Sequence, residues 1–382
     1  MKKVNWVIFI PLGFLLKVFG IIKGQKNESK KIVKGPAITI SNHTSFYDFM
    51  YTFNAIYPRR MHFLAAMKMF YENGLKQVLK LSKAIPKALL QSDAPATLKT
   101  FKVLKRGGIV SLFPEGQISM GGVFMKPSYS VAKLIKKAGV DVYFIKHHNA
   151  YMVNPPWTKK SFKGKIFTTI EKYPKLDIMA DSVDVIYQKV IDHLHYDPFL
   201  YNQSKKERYR LNDIKGLEHI VYTCPKCLLE TLVSNKHRLL CENCGHQMPF
   251  DRYGQLDQKG INHYLEISKD RLKACHEKDS NYTLTAKVQL EMIKDKKMRN
   301  VGSGRLTLNQ TGYYYQGTIS GESVSLQFHP KDISSLPSDI GRNIQIYSGY
   351  QIYQFVFKTS YLPTKFVFFG EYLHELEVKK HA

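Results

Sequence analysis

The chain has 382 residues, which is more than one hydrophobic core usually organises, so two or three domains are expected. Hydrophobic residues make up 44% of it and charged residues 23%, a balance that excludes an intrinsically disordered chain. The 57 Lys and Arg residues outnumber the 31 Asp and Glu residues, for a formal net charge of +26. We therefore expect an anionic partner, and net charge alone leaves nucleic acid, an anionic membrane surface and an acidic substrate open.

The chain begins with an apolar segment between basic residues. Residues 4–22 are apolar except for Asn5 and Lys17, and lysines flank this segment at positions 2, 3, 23, 26, 30 and 31. Lys17 and the lack of a small-residue cleavage site weigh against a signal peptide, while Pro11, Lys17 and two glycines weaken a spanning helix. A first helix packed on the core is a further alternative. The basic flanks favour a helix, within residues 1–30, that lies in the interface of an anionic membrane.

From Ala37 to about Leu200, short apolar runs alternate with helical segments. The predicted strands cover residues 37–41, 62–67, 108–113 and 142–146, and the predicted helices lie near residues 46–57, 70–81, 94–105 and 128–137. This alternation predicts an α/β domain at residues 31–205 with a mixed, largely buried sheet.

The first group of polar residues lies where the first predicted strand ends. His43 follows that strand in a loop, and Asp48 falls on the first turn of the next helix, close enough to hold the imidazole ring. Thr44 or Ser45 is expected to cap this helix. A histidine oriented by a carboxylate is a base that can take a proton from an alcohol near neutral pH. In a chain with 14 His residues this spacing also arises by chance, so a surface histidine beside a capping aspartate is the alternative.

A second polar group follows the third predicted strand, 72 residues after His43. Pro114 ends that strand and Gly116 permits a close backbone approach, so Glu115 is expected at the rim of the sheet beside His43. The two groups are predicted to converge on one crevice.

The Asn-His-four-Asp motif at residues 42–48 and the Phe-Pro-Glu-Gly motif at residues 113–116 together resemble the lysophosphatidate acyltransferase superfamily of glycerolipid enzymes. The resemblance covers about residues 35–200. It implies that His43 is the general base and that Asp48 supports it. It also implies a fatty acyl thioester donor, on coenzyme A or acyl carrier protein, and a lipid alcohol acceptor such as lysophosphatidic acid, in phospholipid biosynthesis.

On the acceptor side, the resemblance implies substrate contacts from Asn42, Lys87, Glu115, Gly116 and Ser119. Lys87 stands where the family more often has Arg, and Lys68 is a weaker candidate for an anion contact. The Arg that the family often carries just after the Glu-Gly element is missing from residues 117–119. Because arginine is the better bidentate clamp for phosphate, the identity of the acceptor stays open.

Four cysteines form two Cys-x-x-Cys pairs separated by 13 residues: Cys224, Cys227, Cys241 and Cys244. This spacing predicts a closed tetrahedral site for a structural Zn²⁺ ion in a small zinc ribbon at residues 217–257. Two disulfides or a redox pair are the alternatives, and they are less favoured because nothing predicts an exported chain. The fifth cysteine, Cys275, has no predicted partner.

The last part of the chain is rich in β-forming and aromatic residues. Residues 258–300 are predicted to form a helical linker, and residues 301–382 a small antiparallel barrel or sandwich closed by a helix near residues 369–378. The pattern faintly resembles pleckstrin-homology or GRAM-like domains, which implies binding of lipid headgroups or protein.

Together these features predict an O-acyltransferase held at the cytoplasmic face of the cell membrane as a peripheral or monotopic protein, with anionic lipids, an acyl donor and a lipid alcohol as partners. The alternative is a membrane-tethered zinc-ribbon module that binds nucleic acid or protein. Between the cysteine pairs, only Lys236, His237 and Arg238 form a basic cluster, without aromatic residues for base stacking. Nucleic acid is therefore the less expected partner.

Overall fold

The computed structural model describes residues 6–29, 31–72 and 74–380. Lys2, Lys3 and Lys30 of the predicted basic flanks lie outside these residues. Along the chain, an N-terminal α/β domain is followed by a three-stranded ribbon, a long helix and an antiparallel sheet with a final helix.

The N-terminal α/β domain contains nine of the helices in the described part of the chain. They are α1 (Trp6–Ile22), α2 (Asp48–Ile56), α3 (Leu75–Leu81), α4 (Ala94–Leu104), α5 (Ser130–Ala138), α6 (Ala150–Val153), α7 (Lys175–Ala180), α8 (Val183–Leu194) and α9 (Pro198–Lys205). The predicted helix at residues 70–81 is divided, because a 3₁₀ turn occupies Met67–Tyr71 before α3 begins.

The sheet of this domain is mixed, as predicted. Its strands are β1 (Gln25–Asn27), β2 (Ala37–Ser41), β3 (Met61–Ala66), β4 (Ile85–Lys87), β5 (Ile109–Leu112), β6 (Asp141–His148) and β7 (Ile166–Tyr173). Their spatial order is β1-β7-β6-β2-β5-β3-β4, and the β6–β7 pair is antiparallel while the other pairs are parallel. The central strands β2 and β5 are buried throughout, because helices cover both faces. The polar edge strand β1 carries no apolar pattern and was not predicted.

The ribbon and the helix after it connect the two larger units. The ribbon strands are β8 (Leu232–Asn235), β9 (Arg238–Cys241) and β10 (Gln247–Pro249), paired antiparallel in the order β10-β9-β8. Helix α10 (Ile261–Lys278) follows. The predicted helical linker at residues 258–300 is therefore wrong beyond Lys278.

The C-terminal sheet domain, residues 284–380, begins earlier than predicted. Its elements are β11 (Leu284–Lys294), β12 (Lys297–Asn309), β13 (Gly312–Ile319), β14 (Glu322–Phe328), β15 (Ser338–Asp339), β16 (Asn343–Ser348), β17 (Gln351–Phe357) and α11 (Leu362–Lys380). Strand β11 alternates buried and exposed side chains and pairs with β12 along its whole length, so it belongs to this sheet and not to a linker.

The seven C-terminal strands form one antiparallel sheet in the order β14-β13-β12-β11-β17-β16-β15. Among the residues that the structure describes, no pairing joins β14 to β15, so the pairings do not confirm the predicted barrel or sandwich. The resemblance to pleckstrin-homology or GRAM-like domains stays a prediction. Helix α11 begins at Leu362, seven residues before the predicted start, and its apolar first turns bury Phe366 and Phe369 completely.

One hydrophobic cluster runs through all three units. It contains Tyr51 of α2, Trp157, Leu239 of the ribbon, Leu265 of α10 and Tyr313 of β13. The ribbon was predicted as a separate unit behind the α/β domain, and the structure corrects this. Its apolar face shares a core with the domains on both sides.

Candidate active site

The register of the central strands places the two predicted motifs side by side. Ile40 of β2 pairs with Leu112 of the parallel strand β5, and each strand ends within one residue of this pair. His43 and Glu115 each lie three residues beyond these partners. Because both strands run in the same direction, the two residues emerge at the same carboxyl edge of the sheet.

His43 and Asp48 form a hydrogen-bonded pair at this edge. Nδ1 of His43 lies 3.2 Å from Oδ2 of Asp48, the first residue of α2. The His43 side chain is 19% exposed, whereas the Asp48 side chain is fully buried. The ring of His43 also stacks on Phe113, with a centroid separation of 4.3 Å and an interplanar angle of 20°. The imidazole is thus fixed by a carboxylate at one nitrogen and by an aromatic face.

Asp48 also holds the loop that carries His43. Its Oδ2 accepts the backbone N–H groups of Thr44 at 2.6 Å and Ser45 at 2.8 Å. The expected cap from Thr44 or Ser45 is wrong, because α2 begins after Tyr47 without a side-chain cap and the aspartate closes the loop from inside the helix. Burial raises the pKa of Asp48, and the contact with His43 and the two N–H bonds act in the opposite direction.

Glu115 is turned into the protein and does not line an open rim. Its Oε1 accepts the backbone N–H of His43 at 2.7 Å, and its Oε2 accepts that of Met125 at 3.0 Å. Burial raises the pKa of Glu115 to about 8, against the opposing effect of these two N–H bonds. Glu115 thus holds the backbone of His43, and its direct contact with the acceptor stays a prediction.

Asn42 and Ser119 are likewise buried, and their substrate contacts stay predictions. The amide of Asn42 is fully buried; its oxygen accepts the backbone N–H of His147 at 2.8 Å and its nitrogen donates to the carbonyl of His147 at 3.3 Å. Ser119 donates its N–H to the carbonyl of His43 at 2.9 Å, and its hydroxyl donates to Val123 at 2.6 Å. Both backbone polar groups of His43 are thus satisfied, which fixes the loop.

The two lysines predicted as anion contacts already have protein partners. Nζ of Lys87 donates to the carbonyls of Ala88 at 3.3 Å and Gln91 at 3.2 Å, and burial lowers the pKa of this ammonium. Nζ of Lys68 lies 2.5 Å from Asp339 of β15 and 3.2 Å from Glu72. Carbonyl groups accept hydrogen bonds from the Lys87 ammonium, and carboxylates neutralise the Lys68 ammonium. Neither ammonium group is therefore free to bind an anion.

Gly116 occupies a backbone position that favours glycine. Its φ is +77°, and a Cβ at this position would lie 3.1 Å from Cδ2 of Leu90. The turn after Glu115 therefore depends on this residue, and the predicted substrate contact of Gly116 stays a prediction.

His147 was missed by the sequence analysis. It lies in β6 beside β2, is fully buried, and contacts the hydroxyls of Thr52 at 2.8 Å and Thr168 at 3.1 Å. Burial lowers its pKa to about 3, so the ring is neutral. The one available signal was its position directly after the predicted strand at residues 142–146. It supports Asn42 from beneath the site.

The four paired cysteines come together as predicted. One ligand atom from each of Cys224, Cys227, Cys241 and Cys244 lies within 4.8 Å of all the others, an arrangement that could hold a metal ion. Sγ of Cys224 lies 3.7 Å from that of Cys244, and Sγ of Cys227 lies 3.6 Å from that of Cys241. A tetrahedral ion with bonds of about 2.3 Å to sulfur separates its ligands by roughly 3.8 Å, so this set fits such an ion.

The two cysteine pairs have the same backbone turn. Leu228 and Gly245, which follow the second cysteine of each pair, have φ of 58° and 70°. Their N–H groups donate to the carbonyls of Cys224 at 2.9 Å and Cys241 at 3.0 Å. Each turn directs two sulfurs to one side, as a closed four-thiolate site requires.

Comparisons with known proteins agree with the site geometry in one respect. Residues 22–146 match the family described as Acyltransferase, a segment that contains His43, Asp48, Glu115 and Gly116. No curated protein matches the chain.

Two solved structures show a weaker similarity. The 1-acyl-sn-glycerophosphate (LPA) acyltransferase PlsC from Thermotoga maritima is 17% identical, with a TM-score of 0.43 over 52% of this chain and 81% of that one. An SsgA-like sporulation-specific cell division protein from Thermobifida fusca is 14% identical, with a TM-score of 0.16 over 27% of this chain and 98% of that one. Similarities at this level carry no argument. The match of residues 22–146, which contain the His43–Asp48 pair, identifies this segment as a domain of the acyltransferase family.

Proposed function

We propose that this chain is an O-acyltransferase that moves a fatty acyl group from an acyl thioester to the hydroxyl of a lysophospholipid. The observation that carries the proposal is the contact between His43 and Asp48 within the segment that matches the acyltransferase family. The donor is proposed to be acyl-coenzyme A or acyl-acyl carrier protein.

The geometry of the pair supports general-base chemistry. When Nδ1–H of His43 donates to Asp48, Nε2 keeps its lone pair and can take the proton of the acceptor hydroxyl. The oxygen then attacks the thioester carbonyl carbon, and the tetrahedral intermediate expels the thiolate, which takes the proton from the imidazolium. Asp48 stabilises the imidazolium formed in the first step. The partly exposed ring allows the acceptor to approach while the carboxylate stays away from water.

The contacts of Lys87 and Lys68 restrict which acceptor headgroup the protein can bind. A phosphate at Lys87 would have to replace the carbonyls of Ala88 and Gln91, and one at Lys68 would compete with Asp339. Lysophosphatidic acid is one candidate acceptor. Lysophospholipids with other headgroups are equally consistent, because their recognition does not require a bidentate phosphate clamp.

We also propose that α1 holds the protein on the membrane. One face of α1 packs on α2, where a Cβ at Gly13 would collide with the ring of Tyr57 and one at Gly20 with the amide of Asn54. The other face leaves Phe14 59% and Leu15 63% exposed. No helix in the described part of the chain is long and apolar enough to cross a membrane. We therefore propose peripheral or monotopic attachment at the cytoplasmic face, where the thioester donors are found.

For the four-cysteine cluster we propose a structural Zn²⁺ ion. The sulfur separations support it, and the four thiolates leave no coordination position for a substrate. When bound, the ion would hold the two turns of the ribbon together and take no part in acyl transfer.

The proposed activity is tested by supplying the purified protein with acyl-coenzyme A or acyl-acyl carrier protein and a panel of lysophospholipids. We expect a diacyl product from at least one donor and acceptor pair, and the panel identifies the headgroup. If no acceptor is acylated while the protein binds nucleic acid tightly, the alternative function as a binding module would be favoured.

A further inference from the structure

Helix α3 leaves part of its apolar surface exposed. It reads LKQVLKL, and none of its side chains is fully buried. Val78 is 51% exposed and Leu81 is 50% exposed. A helix of seven residues is not stable in water on its own, and these half-exposed apolar side chains are available for contact with a partner surface.

The tip of the β11–β12 hairpin lies against this helix. Nζ of Lys76 in α3 donates to the backbone carbonyl of Lys296 in the hairpin turn at 3.4 Å, although 220 residues separate them in sequence. The N-terminal α/β domain and the C-terminal sheet domain therefore form one continuous surface here. We call residues 74–83 and 294–299 the basic patch.

The basic patch carries a strong positive charge. Its basic residues are Lys76, Lys80, Lys83, Lys294, Lys296, Lys297 and Arg299, and Asp295 is the acidic residue in these two segments. All of the basic side chains except Lys76 are exposed. The combination of lysines with half-exposed Val78 and Leu81 matches an anionic bilayer, which offers charge at its surface and an apolar layer beneath it.

Helix α3 begins near the edge of the sheet where the candidate active site opens. Strand β3 runs parallel to β5, which is parallel to β2, so β3 ends at the same carboxyl edge as the strand that precedes His43. The 3₁₀ turn at Met67–Tyr71 and α3 follow directly from that end. A bilayer seated on the patch would thus contact the protein near that edge, at the start of α3.

We propose that the basic patch is a second docking surface for an anionic bilayer, formed jointly by α3 and the β11–β12 hairpin. This inference rests on the proposed function, because the bilayer bound at the basic patch would be the membrane that contains the acceptor lipid. A nucleic acid is less suited to the surface, because the two segments contain no aromatic residue on which a base could stack. Two contacts, α1 and the basic patch, would fix the orientation of the protein on the membrane as well as its attachment.

The test compares binding of the full-length protein to sedimented vesicles of phosphatidylcholine alone and of phosphatidylcholine mixed with phosphatidylglycerol. Lys296→Gln with Lys297→Gln removes charge, and Val78→Ser with Leu81→Ser removes apolar contact. Lys133→Gln with Lys137→Gln on α5 is the charge-matched control. Acyl transfer to a detergent-dispersed acceptor and the melting temperature are measured for every variant.

We expect the hairpin variant to bind the mixed vesicles about 30-fold more weakly, since each lysine near an anionic surface contributes roughly fivefold. The Val78 and Leu81 variant should weaken binding to both kinds of vesicle, and the α5 control should bind like the wild type. Unchanged binding by both patch variants, or an equal loss in the control, would overturn the proposal. If the wild type transfers no acyl group in detergent but its vesicle binding depends on the patch, the proposed activity fails and the docking surface stands.

Discussion

Nε2 of Gln117 donates a hydrogen bond to Oγ of Ser335 at 2.9 Å, and this contact ties the loop after Glu115 and Gly116 to the C-terminal sheet domain. Oγ of Ser335 in turn donates to Glu371 of α11 at 2.5 Å. The loop after the Phe-Pro-Glu-Gly motif is therefore anchored by a domain that the acyltransferase match at residues 22–146 does not include.

If this anchor positions the loop, Gln117→Ala and Ser335→Ala should each lower kcat/KM for the acceptor about fivefold, the effect of losing a hydrogen bond worth about 1 kcal/mol. The double variant should show little additional loss, because either substitution alone breaks the same contact. Gln188→Ala on α8 is the control. If the losses in kcat/KM of the two single variants add fully in the double variant, Gln117 and Ser335 do not act through one shared contact.

The buried carboxyl of Glu115 predicts a pH dependence of stability. Burial raises its pKa from 4.5 to about 8, so the folded chain binds this proton more tightly than the unfolded chain. The resulting stabilisation is complete below pH 4.5 and is lost as the pH rises through about 8. Relative to Glu115→Gln, which cannot titrate, the wild type should lose free energy of unfolding on the order of 4 kcal/mol between pH 5 and pH 8.

This difference is measured by urea unfolding of both proteins across that range. The exposed Glu322→Gln on β14 serves as the control. If the free energies of unfolding of the wild type and Glu115→Gln differ by the same amount at all pH values, burial does not raise the pKa of Glu115.

The cysteine cluster predicts that zinc binding requires its four cysteines and does not require Cys275. Cys224→Ser should lower the zinc content measured by mass spectrometry to near zero and destabilise the ribbon, because one of four thiolates is lost. Cys275→Ser in α10, outside the cluster, should keep one equivalent of zinc. Since the ribbon shares its hydrophobic cluster with Tyr51 and Trp157, faster hydrogen exchange should extend beyond residues 217–257. A protein purified without metal and with an unchanged melting temperature would refute the zinc assignment.

The exposed face of α1 predicts a change in vesicle binding that leaves the fold intact. Phe14→Ser with Leu15→Ser should lower affinity for phosphatidylcholine vesicles at least tenfold, because these side chains would otherwise bury apolar area in the bilayer. Leu176→Ser on α7, where the leucine is also exposed, is the control. Raising the salt concentration should weaken binding of the wild type only in part, since screening acts on the charges alone. Equal vesicle affinities for the α1 variant and the wild type would place the membrane contact elsewhere.

Local patterns were sufficient to predict the central part of the site. His43 and Asp48 are close in sequence, and Glu115 follows a buried strand, so parallel pairing of β2 with β5 brings them together. The contacts of Lys68 with Asp339 could not be predicted, because they depend on how two distant domains dock. The orientation of the Glu115 carboxylate could not be predicted either, because it depends on which backbone N–H groups the folded loop presents. The start of the C-terminal sheet was missed although β11 alternates and Asp279, Ser280 and Asn281 form a turn signal after α10.

We infer that His43, held by Asp48, is the general base of acyl transfer. His43→Ala should reduce the rate of transfer to the best lysophospholipid acceptor by about 100- to 10,000-fold, and Asp48→Asn, which removes the charge but can keep the N–H bonds of the loop, should also reduce it strongly. His237→Ala in the exposed turn of the ribbon is the control, and the melting temperature of each variant shows whether it is folded. Folded His43→Ala protein should be nearly inactive, whereas His237→Ala protein should be fully active. A wild-type transfer rate from folded His43→Ala protein would contradict this role of His43.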